Sequence, residues 1–206
     1  MKTKIFNNSS SLVLFHGTDK KFCAFDKTSH LRGNPHDHNN QLGVWLTNDV
    51  GVAMDYAEAA GAPKDFHGTL VVEVDIPDSE IASYSCNLNA FVMGEFNGVA
   101  CQSSVEKVFD RARRMEQSDL NRSQAFLVVR DELLINGYKA LRLETPQEKM
   151  LAVLDPTKIS IRARLIESEG ILLYRMMRAF KLGSCLRAVD ASDIIERIIE
   201  RRHKQK

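Results

Sequence analysis

Short apolar runs that end in polar or glycine-containing turns recur along the first part of the chain, and they predict strands. These runs cover residues 12–16, 42–47 and 68–76. Residues 48–60, between the second and third runs, have apolar positions at helical spacing, at Val52, Tyr56 and Ala59. Asn48 or Asp49 is a suitable helix cap before this segment. The pattern therefore predicts strand, strand, helix and strand, in that order.

The second half of the chain alternates helical and strand patterns and then becomes helical. Helices are predicted from about 103 to 117 and from about 119 to 135, and strands at 138–144, 149–154 and 159–163. We expect a domain of residues 1–164 followed by a helical tail of residues 165–206. Two helices of this tail would pack on the body or on a second copy, or they would form an appendage that binds a partner.

Charge is distributed unevenly, although the formal net charge of the 206 residues is only +1. Residues 162–206 carry 11 Lys/Arg against 6 Asp/Glu, whereas the first 161 residues carry 17 against 21. A near-neutral chain does not indicate nucleic-acid binding. The basic tail would meet an acidic partner or fold back on the acidic body.

Cysteine and hydropathy patterns bear on the compartment. Four scattered cysteines without a CxxC pair are typical of a reducing, cytoplasmic setting, either in the producing cell or in a host cell. No apolar run approaches the roughly 18 residues of a membrane span, so we expect no membrane association. His36 and His38 flank Asp37 in a turn-rich loop, but no third ligand lies at suitable spacing, and we expect no metal site.

Candidate chemistry begins where the first strand ends, at the sequence FHGT. Gly17 permits close backbone approach, and the imidazole of His16 and the hydroxyl of Thr18 flank it. This arrangement suits hydrogen bonding to a sugar or amide ligand. The alternative is a strand-end histidine that caps a loop.

Three segments, taken in order, resemble the ADP-ribosyltransferase superfamily. The similarity is to its branch with a His-Tyr-Glu active-site pattern, which includes the poly(ADP-ribose) polymerases and small bacterial and phage transferases. The segments are FHGT at 15–18, GVWLTNDVGVAMDYA at 43–57 and INGYKALRLETPQEKMLAVLDPTKISI at 135–161. The resemblance implies an α+β fold, a split mixed β-sandwich with flanking helices, whose cleft holds NAD as a substrate.

The resemblance also implies residue roles. His16 would hydrogen-bond the nicotinamide ribose, the Gly17 backbone would hold the carboxamide, and Thr18 completes the motif. Trp45 and Tyr56 would sandwich the nicotinamide ring. Flat aromatic walls and fixed hydrogen bonds favour a reaction in which positive charge develops on the ribose while neutral nicotinamide leaves.

One residue departs from the family's pattern: Met150 stands where the family places a catalytic glutamate, and a thioether cannot replace a carboxylate. Glu148, two residues earlier on the same predicted strand face, would supply the carboxylate if the strand bulges. Alternatively the target supplies the acid, or the site binds NAD without chemistry.

The sequence therefore predicts an NAD-dependent mono-ADP-ribosyltransferase, with Glu148 as the candidate acid beside His16 and Tyr56. A protein is the favoured target, and a bacterial effector, toxin or phage protein is the expected class. The alternative is an inactive module of this fold that binds NAD, ADP-ribose or a protein partner. The RNA 2′-phosphotransferases also have an HGT-like strand end. That activity would require several phosphate-binding arginines in the strands of the domain, and Arg130 and Arg142 are too few.

Overall fold

A computed structural model describes residues 14–29, 38–85, 122–146, 149–182, 195–197 and 200. Within these ranges the strands are β1 (Leu14–Gly17), β2 (Val44–Thr47), β3 (Thr69–Val74), β4 (Ile81–Tyr84), β5 (Ala140–Glu144), β6 (Lys149–Val153) and β7 (Ile159–Leu165). The α-helices are α1 (Val50–Ala59), α2 (Arg122–Ile135) and α3 (Glu167–Leu182). The predicted helix at 103–117 lies outside the described residues.

The seven strands form one sheet in the order β4-β5-β6-β2-β1-β3-β7. β4 and β5 are parallel, and every other neighbouring pair is antiparallel. The sheet is therefore mixed, and the predicted α+β class is confirmed. β1 lies inside the sheet, where both of its edges face another strand.

One row of cross-strand neighbours shows how the helices cover the sheet. The row contains Leu143, Met150, Thr47, Phe15, Val71 and Ala163. Directly opposed residues point to the same face of a sheet. The apolar cluster at one end of the row includes residues of α2, and the cluster at the other end includes residues of α1 and α3. All three helices therefore pack on one face of the sheet.

The opposite face is covered by the loop that follows β1. Leu14, Leu46 and Leu70 belong to the apolar cluster on this face, and Phe25 and Phe22 from the loop pack against it. Burial of these rings removes apolar surface from water and fixes the loop beside the end of β1.

Helix α1 begins and ends where its sequence predicts, and it packs on the sheet through small residues. Asp49 is the N-cap, and its carboxylate accepts a hydrogen bond from the Gly51 N–H at 2.8 Å. The buried residues are Val50, Ala53 and Ala57, whereas Tyr56 and Ala59, two of the apolar positions at helical spacing, are exposed. Small residues face the sheet here because the backbone of β1 passes directly beneath the helix.

The first helix of the predicted tail packs along α1. A Cβ added to Gly170 of α3 would lie 2.6 Å from the Met54 sulfur, and one added to Gly51 would lie 2.9 Å from the Tyr174 ring. Close approach of this kind needs glycine on one partner. Most of the tail beyond α3 lies outside the described residues, although Ile195 is buried in the same cluster. No helix in the described ranges is long and apolar enough to cross a bilayer.

Candidate functional site

The described pairing between β1 and β2 stops just before the end of β1. Phe15 is opposite Thr47, and continuing that register would place Gly17 opposite Trp45. The ring of His16 occupies this position instead, with its Nδ1 2.9 Å from the carbonyl oxygen of Trp45. The imidazole therefore joins the two strands where their backbone pairing ends.

This hydrogen bond fixes the tautomer of His16. A carbonyl oxygen only accepts, so Nδ1 carries the proton and donates it. Burial lowers the pKa of His16 below its ordinary value of 6.5, and the bond to the Trp45 carbonyl opposes that shift more weakly. The ring is therefore neutral at pH 7. Its Nε2 is an acceptor without a partner among the described residues, suited to a hydroxyl donor.

Gly17 lies directly against α1. A Cβ at this position would lie 2.0 Å from the Ala53 carbonyl oxygen, 2.7 Å from the Ala57 nitrogen and 2.9 Å from the Tyr56 Cβ. Only glycine allows the strand end to lie this close to the helix. The contact places Tyr56, whose side chain is 45% exposed, next to the backbone of Gly17.

Thr18 is buried and stabilises the loop that follows β1. Its N–H donates to the Gly68 carbonyl at 2.8 Å, and its hydroxyl oxygen accepts from the Lys20 N–H at 3.1 Å. These bonds hold the chain immediately after Gly17. A direct contact between Thr18 and a ligand stays a prediction.

Trp45 and His16 direct their rings to opposite faces of the sheet. The Trp45 ring packs on the cluster beneath α2, and its Nε1 donates to the Asn39 carbonyl at 3.0 Å. The His16 ring lies edge-to-face against Phe25 on the other side, with centroids 5.5 Å apart. The point where the β1–β2 pairing ends therefore has a side-chain ring on each face of the sheet.

Position 150 is part of the hydrophobic core. Met150 is only 3% exposed, and it lies between Leu143 and Thr47 in the cluster beneath α2. A carboxylate here would be surrounded by apolar side chains. Methionine suits this position, because in the observed register of β6 it faces the hydrophobic core. Glu148 lies outside the described residues, and its role stays a prediction.

Asn48 has a role that the sequence analysis did not identify. It was one of two candidate helix caps, but Asp49 is the cap. The Asn48 side-chain oxygen instead accepts from the Lys149 N–H at 3.1 Å. The signal was ambiguous because an Asn-Asp pair offers two equivalent caps, and only the fold decides which one is used.

The arginines considered for phosphate binding contact the protein itself. Arg130 donates to the Leu154 carbonyl at 3.0 Å, and Arg142 pairs with Asp78 at 2.7 Å. Each guanidinium therefore already has a partner within the protein. Within the described ranges, no group of three or more His, Cys, Asp or Glu side chains could hold a metal ion, and His36 lies outside those ranges.

Comparisons with known proteins add one distant structural likeness. No protein-family model matches the chain, and no curated protein matches it. A solved structure described as an anti-CRISPR protein is similar at 14% identity with a TM-score of 0.40, covering 74% of this chain and 96% of that one. A likeness this weak carries no argument about function.

Proposed function

We propose that this protein is an NAD-dependent mono-ADP-ribosyltransferase that modifies a macromolecular target, with a protein as the favoured acceptor. The observation that carries the proposal is the meeting of two sequence motifs at the end of β1. His16 is fixed by the Trp45 carbonyl, and Gly17 lies against the helix that bears Tyr56. The limited pairing of β1 with β2 supports a split mixed sandwich whose cleft opens at this point.

The state of His16 suits the proposed chemistry. Breaking the bond between ribose and nicotinamide develops positive charge on the ribose. A neutral imidazole accepts a ribose hydroxyl hydrogen bond through Nε2 without placing a second positive charge nearby. Tyr56 and Trp45 would hold the nicotinamide ring, and the Gly17 backbone would hold its carboxamide.

Position 150 does not supply the carboxylate for this reaction, because its side chain is a methionine buried in the core. Glu148 is the candidate within the chain, and an acidic group of the target is the candidate outside it. Glu148→Gln separates them: a strongly reduced rate assigns the role to Glu148, and an unchanged rate assigns it to the target.

The same methionine favours a second candidate function. A domain of this fold without the carboxylate would bind NAD or ADP-ribose, or a protein partner, without turnover. Saturable NAD binding with no nicotinamide release would select this function. For either function we propose a cytoplasmic setting, in the producing cell or in a host, because scattered cysteines fit a reducing compartment.

Nicotinamide release from NAD by the purified protein, with and without cell lysate, tests the proposal. His16→Ala and Tyr56→Ala should abolish release while both variants remain folded, as far-UV circular dichroism would show. His67→Ala is the matched control, because His67 is exposed and lies outside the site. Full activity in both site variants would overturn the site assignment.

A further inference from the structure

We propose that Arg164 binds the diphosphate of the dinucleotide whose ribose contacts His16. The inference rests on the proposed function and adds a residue outside the three resembling segments. Arg164 belongs to β7, at the edge of the sheet, and no sequence motif includes it.

Strand register places Arg164 on the same face of the sheet as His16. Leu70 of β3 is opposite His16 on one side and opposite Arg164 on the other. The two polar side chains therefore flank one buried leucine, at two strand spacings or roughly 10 Å between their Cα atoms. The irregularity in the β3–β7 pairing lies between Val71 and Val72, so the register at Leu70 is intact.

A continuous series of rings connects the two groups. The His16 ring contacts Phe25 with centroids 5.5 Å apart, and the Phe25 ring contacts Phe22 at 4.9 Å. The Arg164 guanidinium carbon lies 5.4 Å from the centroid of the Phe22 ring. The imidazole therefore lies at one end of this packed series and the guanidinium at the other.

The guanidinium of Arg164 contacts an aromatic ring and has no anionic partner within the described ranges. The Phe22 contact is a cation–π contact, and the guanidinium N–H groups have no hydrogen-bond acceptor among the described residues. A guanidinium with unpaired N–H groups can make a planar, two-point contact with phosphate. Arg162, two residues earlier, pairs with Glu73 and also with Glu196 at 4.0 Å. Arg164 is partly exposed and has no carboxylate partner among the described residues.

The sequence gives a reason to expect such a cation. It contains no P-loop and no GxGxxG motif, so no glycine-rich backbone cradle is available for the phosphates. The two negative charges of the diphosphate must then be balanced by side chains. Among the described residues, Arg164 is a cation that lies level with His16 and has no carboxylate partner.

Titration calorimetry with NAD and with inorganic pyrophosphate tests the inference, using Arg164→Gln and Arg164→Lys. Arg164→Gln should weaken NAD binding about 10-fold or more, the usual effect of losing a charged hydrogen bond. It should also flatten the salt dependence of binding. Arg164→Lys, which keeps the charge without the planar fork, should lie between it and the wild type. The matched control, Arg162→Gln, makes the same charge change on the same strand and should stay within about 2-fold.

The outcomes separate this inference from the proposed function. If the wild type binds and cleaves NAD and Arg164→Gln binds it equally well, the inference is overturned and the transferase stands. If Arg164→Gln raises KM for NAD while His16→Ala lowers kcat, both are supported. If the wild type binds pyrophosphate through Arg164 but does not bind NAD, two proposals are overturned: that Arg164 binds the diphosphate of NAD, and that the protein is an NAD-dependent transferase. Binding of neither compound by the wild type would do the same.

Discussion

Asn48 and Lys149 are joined by two hydrogen bonds, although they are 101 residues apart in the chain. The Asn48 N–H donates to the Lys149 carbonyl at 3.2 Å, and the Lys149 N–H donates to the Asn48 side-chain oxygen at 3.1 Å. This pair closes the ladder between β2 and β6 at the end of β2 that leads into α1. It therefore fixes the start of β6 relative to the strand that carries Trp45.

Asn48→Ala removes the side-chain half of this pair. We expect a loss of about 1 kcal/mol in the free energy of unfolding, because a partly buried N–H loses its partner. Urea denaturation measures the change. Ser160→Ala, at an exposed position on β7, is the control. Equal stability of the two variants would contradict a structural role for the Asn48 side chain.

Gly17→Ala should be among the most damaging small substitutions in this protein. The added methyl group would collide with the Ala53 carbonyl and the Ala57 nitrogen, both backbone atoms of α1. Such overpacking should cost more than about 3 kcal/mol in thermal or urea denaturation.

Gly170→Ala is the matched comparison for Gly17→Ala. Its close contact is the Met54 sulfur, at the flexible end of a side chain, and alanine favours the helix. A change within about 1 kcal/mol is expected. A Gly17→Ala variant as stable as Gly170→Ala would show that β1 does not lie tightly against α1.

The lowered pKa of His16 predicts a specific pH dependence of stability. Below about 6.5 the unfolded chain takes up a proton at His16 that the folded protein does not. The free energy of unfolding of the wild type should therefore fall relative to His16→Gln as the pH decreases through 6.5, and the difference should be constant at higher pH. Denaturation curves from pH 8 to pH 5 measure it. A relative gain for the wild type at low pH would mean that the folded ring is protonated.

Met150→Glu should destabilise the protein rather than restore a family active site. A carboxylate in the cluster beneath α2 would be desolvated, which raises its pKa above the unfolded value. The loss of stability, about 3 kcal/mol or more, should therefore be larger at pH 8 than at pH 5. Met150→Leu conserves volume and should cost less than about 1.5 kcal/mol. Stability of Met150→Glu equal to that of Met150→Leu would mean that position 150 faces solvent.

Local signals predicted the parts of the fold that local interactions determine. Helix α1 has a side-chain cap in Asp49 and a glycine after its last turn, and both of its ends agree with the sequence pattern. β5 and β6 form a hairpin from adjacent segments, so their order and type also follow from the sequence. The confirmed α+β class rests on these elements.

Features that depend on distant segments were not predicted. Strand β4 has four residues and no clear period, and it is a strand because it pairs in parallel with β5 after a long connection. The set of residues that α1 buries was not predicted, because Gly17 of another strand determines which residues face the sheet. Arg164 lies level with His16 because both residues pair with Leu70. The spacing of residues along the sequence does not reveal this pairing.

The strand order has a consequence for synthesis of the chain. β1 pairs with β2 and β3, which are made soon after it, but β2 also pairs with β6, β3 with β7, and α1 is covered by α3, all of which are made much later. Domains usually fold as units as they leave the ribosome. A nascent chain that has reached only residue 85 would therefore hold bare strand edges and an uncovered helix. The contacts of His16 with Trp45 and of Gly17 with α1 can form within that segment, but the outer edges of β2 and β3 stay unpaired until β6 and β7 have emerged from the ribosome.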